Sequence, residues 1–396
     1  MPTTVTPATS LPERSPNPTG PIMLLTQGHA GDRLGARLIP ALQHRFPGRE
    51  ITGIGGERML AQGARLLART DEVSAMGWTG LLPILPRLLR SIRDTAAASR
   101  DPLPACVVAV DVWQPLRFLH RKASHLLQVP HVCYLPPGPN FIGESRVHGA
   151  VGRVFRSIIT PFAHQEQLYR AAGGHVRGGG HAGLQAMLEE VRPQPFHARE
   201  PLLALLPGSR ALEVRYSLDV QFAAARRIIE RHPELTPIVC CANAEVQQVV
   251  ERRYPGLKHS RNAREVMARA RFGIICSGTA ALEAAVLGCP GVVTYHGSPL
   301  QRWEWRTFHV EKITKLREAG IASPYVALPN IIAGKELYPE VIDGPVEAIV
   351  DAALPMLGGD LHALQDALAA VSASLNWEDA GQVVAEEVAV RCGLDR

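Results

Sequence analysis

The chain has 396 residues, of which 46% are hydrophobic and 20% charged, and its mean hydropathy is close to zero. That balance is too apolar for a disordered protein. At about 100–200 residues per domain the length predicts two or three domains. The net charge of +5 lacks the dense basic face of a dedicated nucleic-acid binder, so no nucleic-acid partner is expected.

Seven cysteines are present, at 106, 133, 240, 241, 276, 289 and 392, and no two are spaced C-x-x-C. Most lie in apolar runs such as CVVAV and FGIICSG. They read as small buried hydrophobes in a reducing compartment, which excludes a secreted disulfide scaffold. No apolar run reaches the ~18–20 residues that cross a bilayer. Residues 1–20 hold five prolines and no apolar core of a signal peptide, so a disordered tail and a cytoplasmic chain are expected.

Order is predicted from Pro21. The run Ile22–Leu25, ending towards Gly28, reads as a buried parallel strand. Leu34, Leu38, Leu42 and Phe46 recur every fourth residue and predict a helix that Pro47-Gly48 stops. Further strands are predicted at 51–56, 106–111, 131–135 and 156–160. From 178 to 205 the composition changes to GGGHAG and then VRPQPFHAREP, which reads as an interdomain linker.

The opening pattern then restarts. LLALL at 202–206 is a strand, Pro207-Gly208-Ser209-Arg210 a tight loop, and a helix follows with Val214, Leu218, Phe222, Ala225 and Ile229 on one face. PIVCC, FGIIC and GVVTY read as further strands. The expectation is an α/β fold of two Rossmann-like domains, 21–195 and 200–360, facing a cleft. A helical segment, 361–396, is expected to return to the first domain.

Ligands of doubly wound sheets bind beyond the carboxyl ends of strands, and four loops fit. Gln27-Gly28-His29-Ala30-Gly31-Asp32 is either a ligand loop or a plain strand-to-helix turn. Pro207–Arg210 offers a guanidinium fork and backbone N–H groups to phosphate, with Glu213 in the next helical turn. Ser277-Gly278-Thr279 opens a small-residue helix whose N-terminus suits a diphosphate, with Glu283 one turn in for ribose hydroxyls. The alternative there is a helix capped by Ser277 or Thr279. Asp111 leaves a buried strand and is a candidate general base or a helix cap.

His29 and His181 follow glycines in loops. No D-x-D, P-loop, H-E-x-x-H or G-x-S-x-G occurs. The expectation is no metal and no separate cofactor, with diphosphate charge met by Arg210 and a helix N-terminus.

Five motifs in order carry a resemblance: G-x-x-G-D-x-L-G-A-x-L from Gly28, GGERMLAQG with Ala75-Met76-Gly77, LLPGSRALEV, SGTAALEAAVLGCPGVVTY and YVALPNIIAGKELYPEVI. Over roughly residues 22–345 the chain resembles the lipid-A-disaccharide synthase family, glycosyltransferases of the two-domain GT-B fold. The resemblance implies inverting transfer of an acylated glucosamine from its UDP derivative to acylated glucosamine 1-phosphate, with release of UDP.

It assigns catalysis to Asp111 and Arg210. Gly208, Ser209, Ser277, Gly278, Thr279, Glu283 and Asn330 are implied on the donor side, and Gly28, His29, Gly31, Asp32 and Met76 on the acceptor side. It also implies a lipid acceptor and peripheral contact with the inner face of the membrane. The stretch MGWTGLLPILPRLLRSIR, 76–93, would supply that contact through apolar bulk beside arginines. The family's acceptor-side segments are altered at 112–116 and 135–146, whereas its donor-side motifs are nearly intact. Three other readings stay open: a related transferase with another lipid acceptor, a UDP-sugar epimerase, and a non-catalytic paralogue that binds nucleotide sugar or lipid.

Overall fold

The computed structural model describes residues 15–69, 85–112, 114–136, 151–209, 211–305, 323–359 and 361–395. Two compact units form. One runs to Gln185 and resumes at Leu375; the other is Ala186–Ser374.

In the first unit, seven parallel strands are described: β1 (Ile22–Leu25), β2 (Ile51–Gly55), β3 (Arg65–Arg69), β4 (Cys106–Val110), β5 (His131–Tyr134), β6 (Ser157–Thr160) and β7 (Val176–Gly178). Their order is β3-β2-β1-β4-β5-β6-β7. The chain reverses its direction of travel across the sheet between β1 and β4, whose Ile22 and Cys106 pair. Met23, Leu25, Val107 and Ala109 point to one face, where they pack on Leu88, Ile92 and Leu116 of the flanking helices. The helix Gly28–Arg45 buries Leu34, Leu38 and Leu42 as its period requires.

The second unit repeats the plan with β8 (Glu200–Leu206), β9 (Thr236–Cys240), β10 (His259–Ser260), β11 (Ala270–Cys276), β12 (Gly291–Tyr295) and β13 (Glu340–Ile342). The order is β10-β9-β8-β11-β12-β13, again parallel, and the reversal falls between β8 and β11. Leu203, Leu205, Phe272 and Ile274 pack against Val214, Leu218 and Ala225 of the helix Ala211–Arg231. All seven cysteines are free and buried.

The boundaries depart from sequence expectation in three places. Residues 15–20, assigned to the tail, are tied down: Asn17 Nδ2 donates to the Leu103 carbonyl at 2.8 Å, and Arg49 Nη1 donates to the Gly20 carbonyl at 2.7 Å. The expected linker, 178–205, starts at the end of β7 and contains the helix Ala182–Glu190, which runs across the division between units, and most of β8. The C-terminal segment divides: His362–Ala373 belongs to the second unit, and Ala380–Arg391 packs into the first with Val383, Val384 and Val388 buried. Gln185 secures that return, donating to the carbonyls of Trp377 and Glu378 and accepting from Ala380 N.

Residues 76–84 of the expected membrane segment lie outside the described residues. Within the helix Leu85–Ala98, Leu88, Ile92 and Ala96 are core residues, so that much of the apolar set serves folding. Arg87, Arg90 and Arg93 are exposed, as is Leu89, at 49%. Among the described residues no helix is long and apolar enough to cross a membrane.

Candidate active site

The four sequence-predicted loops all fall at the carboxyl ends of strands flanking the two reversals, β1 and β4 in the first unit, β8 and β11 in the second. A doubly wound sheet opens a crevice there because the helices after the two strands cover opposite faces.

In the second unit the loop after β8 keeps Gly208 at φ 115 and leaves Ser209 exposed. Asn243 Nδ2 donates to the Ser209 carbonyl at 2.9 Å and so fixes the loop from outside. Gln221, fully buried, donates to the Leu206 carbonyl at the end of β8 and to Thr294 Oγ1 of β12, both at 3.1 Å. Arg210 is outside the described residues, and the Glu213 side chain likewise.

Beside this loop the helix Thr279–Val286 begins at Gly278, which has φ 138 and no side-chain cap. Ser277 instead uses its backbone N–H to reach the Thr294 carbonyl at 2.8 Å. The capped-helix reading therefore fails. Gly278 and Thr279 are exposed, and the first-turn N–H groups form an uncapped positive end suited to an anion.

Glu283 stands one turn in, with its side chain 12% exposed and paired at 3.2 Å with Arg264. The opposite end of the same helix is held by Arg199, a buried guanidinium that donates to the carbonyls of Met267, Ala270 and Leu287. Burial lowers the Arg199 pKa.

Asn330 is completely buried, and its amide is fully used. Nδ2 donates to Tyr338 O at 2.7 Å and Glu340 Oε1 at 2.9 Å, while Oδ1 accepts from Leu337 N at 2.8 Å and Tyr338 N at 2.9 Å. No donor or acceptor is left for a nucleotide. Its place in LPN is structural: it ties the helix Leu328–Ala333 to the approach of β13.

In the first unit Asp32 is likewise committed. It is 5% exposed, and its carboxylate accepts from Gly56 N at 2.7 Å and from Arg58 N and Met59 N at 3.1 Å, capping the helix Glu57–Ala61 from a distant element. His181 caps the helix Ala182–Glu190 through Nδ1, which accepts from Gly183 N at 3.1 Å and Leu184 N at 3.3 Å. Gly28 starts its helix at φ 63, Gly31 is buried against Thr26, and His29 is exposed. Met76 lies outside the described residues.

Asp111 is different. It follows β4 with φ 52, in the left-handed region that a non-glycine residue enters at a cost. Its N–H is held by the Tyr134 carbonyl at 2.9 Å. Leu135, after the neighbouring β5, also has positive φ, 58. The side of Asp111 is exposed, yet protein around it desolvates the carboxylate and raises its pKa from the ordinary 3.8 to about 6. Its neighbour Tyr134 is buried, donates from Oη to Gly180 O at 2.9 Å and accepts from Ala182 N at 2.7 Å. Burial raises the phenol pKa strongly.

Two parallel α/β sheets, each with loops at its reversal point, define a two-domain Rossmann-like fold that known structures share. The S. aureus MnaA-UDP co-structure matches with TM-score 0.61 and 14% identity over 95% of this chain and 97% of that one. The structure of CalG4, the calicheamicin glycosyltransferase, matches with TM-score 0.51 and 14% identity over 94% and 98%. These likenesses concern the fold. The sequence narrows the class further: residues 22–357 match the family model of lipid-A-disaccharide synthetase, and the chain belongs to that family.

Among its relatives, the lipid-A-disaccharide synthase of Alkalilimnicola ehrlichii is 33% identical over 377 residues, 89% of this chain and 97% of that protein. The synthase of Myxococcus xanthus is 32% identical over 339 residues, 82% and 84% of the two chains. That of Neisseria meningitidis serogroup B is 33% identical over 342 residues, 81% and 84%. The matched span takes in both reversal points.

Proposed function

We infer that this chain is a UDP-sugar-dependent glycosyltransferase that makes the lipid A disaccharide. The observation that carries the reading is the uncapped helix N-terminus at Gly278-Thr279 beside the Gly208-Ser209 loop, on adjacent strands of one family-matched sheet. The donor's diphosphate would lie against these N–H groups, with Arg210 supplying a guanidinium and Glu283 accepting from ribose hydroxyls. Preorganised donors of this kind stabilise the charge that develops on departing UDP.

Asp111 would act as general base. With a pKa of about 6 it is ionised at neutral pH and basic enough to take a proton from the acceptor's 6-hydroxyl. That oxygen attacks the anomeric carbon as the bond to UDP breaks, and the configuration inverts. The acceptor, acylated glucosamine 1-phosphate, would approach from the first unit near His29. Contact with the inner membrane surface would use the exposed Arg87, Arg90 and Arg93 beside Leu89.

The test is UDP release from UDP-diacylglucosamine with and without acylated glucosamine 1-phosphate. Acceptor-dependent release and a disaccharide product support the assignment. Release with other lipids only, or interconversion of UDP-sugars without acceptor, overturns it in favour of a different transferase or an epimerase. Flotation with anionic vesicles tests the surface, and recovery in the unbound fraction rejects it.

A further inference from the structure

We propose that Arg264 is a positioning residue of the donor site, holding the Glu283 carboxylate in the one orientation in which it meets the nucleotide's ribose. This rests on the ribose role given to Glu283 above.

The geometry is specific. Arg264 projects from the helix Ala263–Arg269, with its side chain 10% exposed. Nη2 lies 3.2 Å from Glu283 Oε1, and Nη1 lies 3.0 Å from Glu190 Oε2. A guanidinium presents donors along two edges of a plane, so it can hold two carboxylates at once, which an ammonium cannot do in the same geometry. Glu283 is nearly buried, whereas Glu190 is 59% exposed at the end of its helix. The arginine therefore serves a carboxylate that could not stay desolvated alone.

The mounting of Arg264 is rigid as well. Asn262 caps its helix by accepting from Glu265 N at 3.3 Å. Arg199 takes the Met267 carbonyl at the other end, and the same guanidinium holds Leu287 O after the helix that carries Glu283. Two helices are thus fixed to one cation, and a second cation sets the carboxylate between them. Arg264 is too deeply engaged to reach a diphosphate itself, so its effect passes through Glu283.

Binding of UDP is compared with binding of its 2′-deoxy and 3′-deoxy analogues, in the wild type and in Glu283→Gln, Arg264→Lys and Glu190→Gln. A charged hydrogen bond makes the wild type prefer UDP by about tenfold or more. Glu283→Gln brings that ratio near unity. Arg264→Lys, which keeps the charge and most of the stem, brings it to about twofold, raising the donor KM with little change in kcat. Glu190→Gln, at an exposed position, lowers it about twofold.

An unchanged ratio in Arg264→Lys and Glu190→Gln, beside a collapsed ratio in Glu283→Gln, overturns the role of Arg264 alone. A retained ratio in Glu283→Gln overturns the ribose role itself. A purely structural arginine would shift the melting temperature of Arg264→Lys and leave the ratio untouched.

Discussion

The two units share a strand order through their first six strands but use its reversal point differently. At the β8–β11 point of the second unit the loops present backbone: an exposed Ser209 and an uncapped helix start at Gly278, braced by the buried Gln221 from within and by Asn243 from outside. At the β1–β4 point of the first unit the polar side chains of the loops are mostly consumed internally. Asp32, after β1, caps a distant helix, and Asp111, after β4, carries a carboxylate on a strained backbone. On the function proposed above, the same topology would supply a charge-binding surface in one unit and a general base in the other. Anions need several N–H donors, whereas proton abstraction needs one carboxylate of tuned pKa.

The strongest way to break this contrast is Asp111→Asn. Asparagine tolerates left-handed φ, so the loop survives. Turnover should fall by about 10²–10⁴-fold with donor KM unchanged, measured as acceptor-dependent UDP release. In the wild type the rate should rise as pH increases through about 6 and then level off, because the ionised form is the base. The sign for stability is opposite. A carboxyl whose folded pKa is raised is destabilised by ionising, so between pH 3.8 and 6 the wild type loses stability that Asp111→Asn does not lose. A melting temperature for Asp111→Asn at pH 8 below that of the wild type would place Asp111 in a structural role instead.

Asn330→Ala should cost about 3 kcal/mol in chemical denaturation, since it strands several buried backbone partners. Affinity of the folded fraction for UDP should stay within about twofold. A selective loss of UDP affinity would return Asn330 to the donor site. Asp32→Asn should cost about 2 kcal/mol through weakened capping of Glu57–Ala61, with turnover per folded molecule retained. Gly278→Ala should be the mildest. Its Cβ meets nothing within 4 Å, so the cost is the φ of 138 alone, about 1–2 kcal/mol. Relaxing that strain would re-aim the helix start and raise donor KM by about tenfold while acceptor KM stays constant, as steady-state kinetics would show.

Strand legibility followed position in the sheet. The strands predicted from apolar runs, β1, β2, β4, β5, β6, β8, β9, β11 and β12, all lie inside a sheet, where burial on both faces demands continuous hydrophobicity. The four that sequence reading missed, β3, β7, β10 and β13, are the edges. Their sequences, RLLAR, VRG, HS and EVI, are short or polar. An edge strand packs less and carries charge, so its pattern merges with that of loops.

The candidate site divided in the same manner. Glycines and small residues between a strand and a helix marked the loops correctly, because close backbone approach restricts residue type. Arg264 and Arg199 carried no such mark. Each lies in an ordinary helical or linker stretch, and their partners are far along the chain: Glu190 and Glu283 for one, Met267, Ala270 and Leu287 for the other.

Sequence alone determined the alternation of strands and helices, its restart in the second half, the family, and the loops at which chemistry could occur. Those follow from local periodicity and from motifs a few residues long. Only the tertiary structure decided which polar side chains in those loops are free to act. Asp32, His181 and Asn330 look no different from Asp111 in sequence, but buried N–H and C=O groups must be paired, and the groups that claimed these three are brought to them by folding.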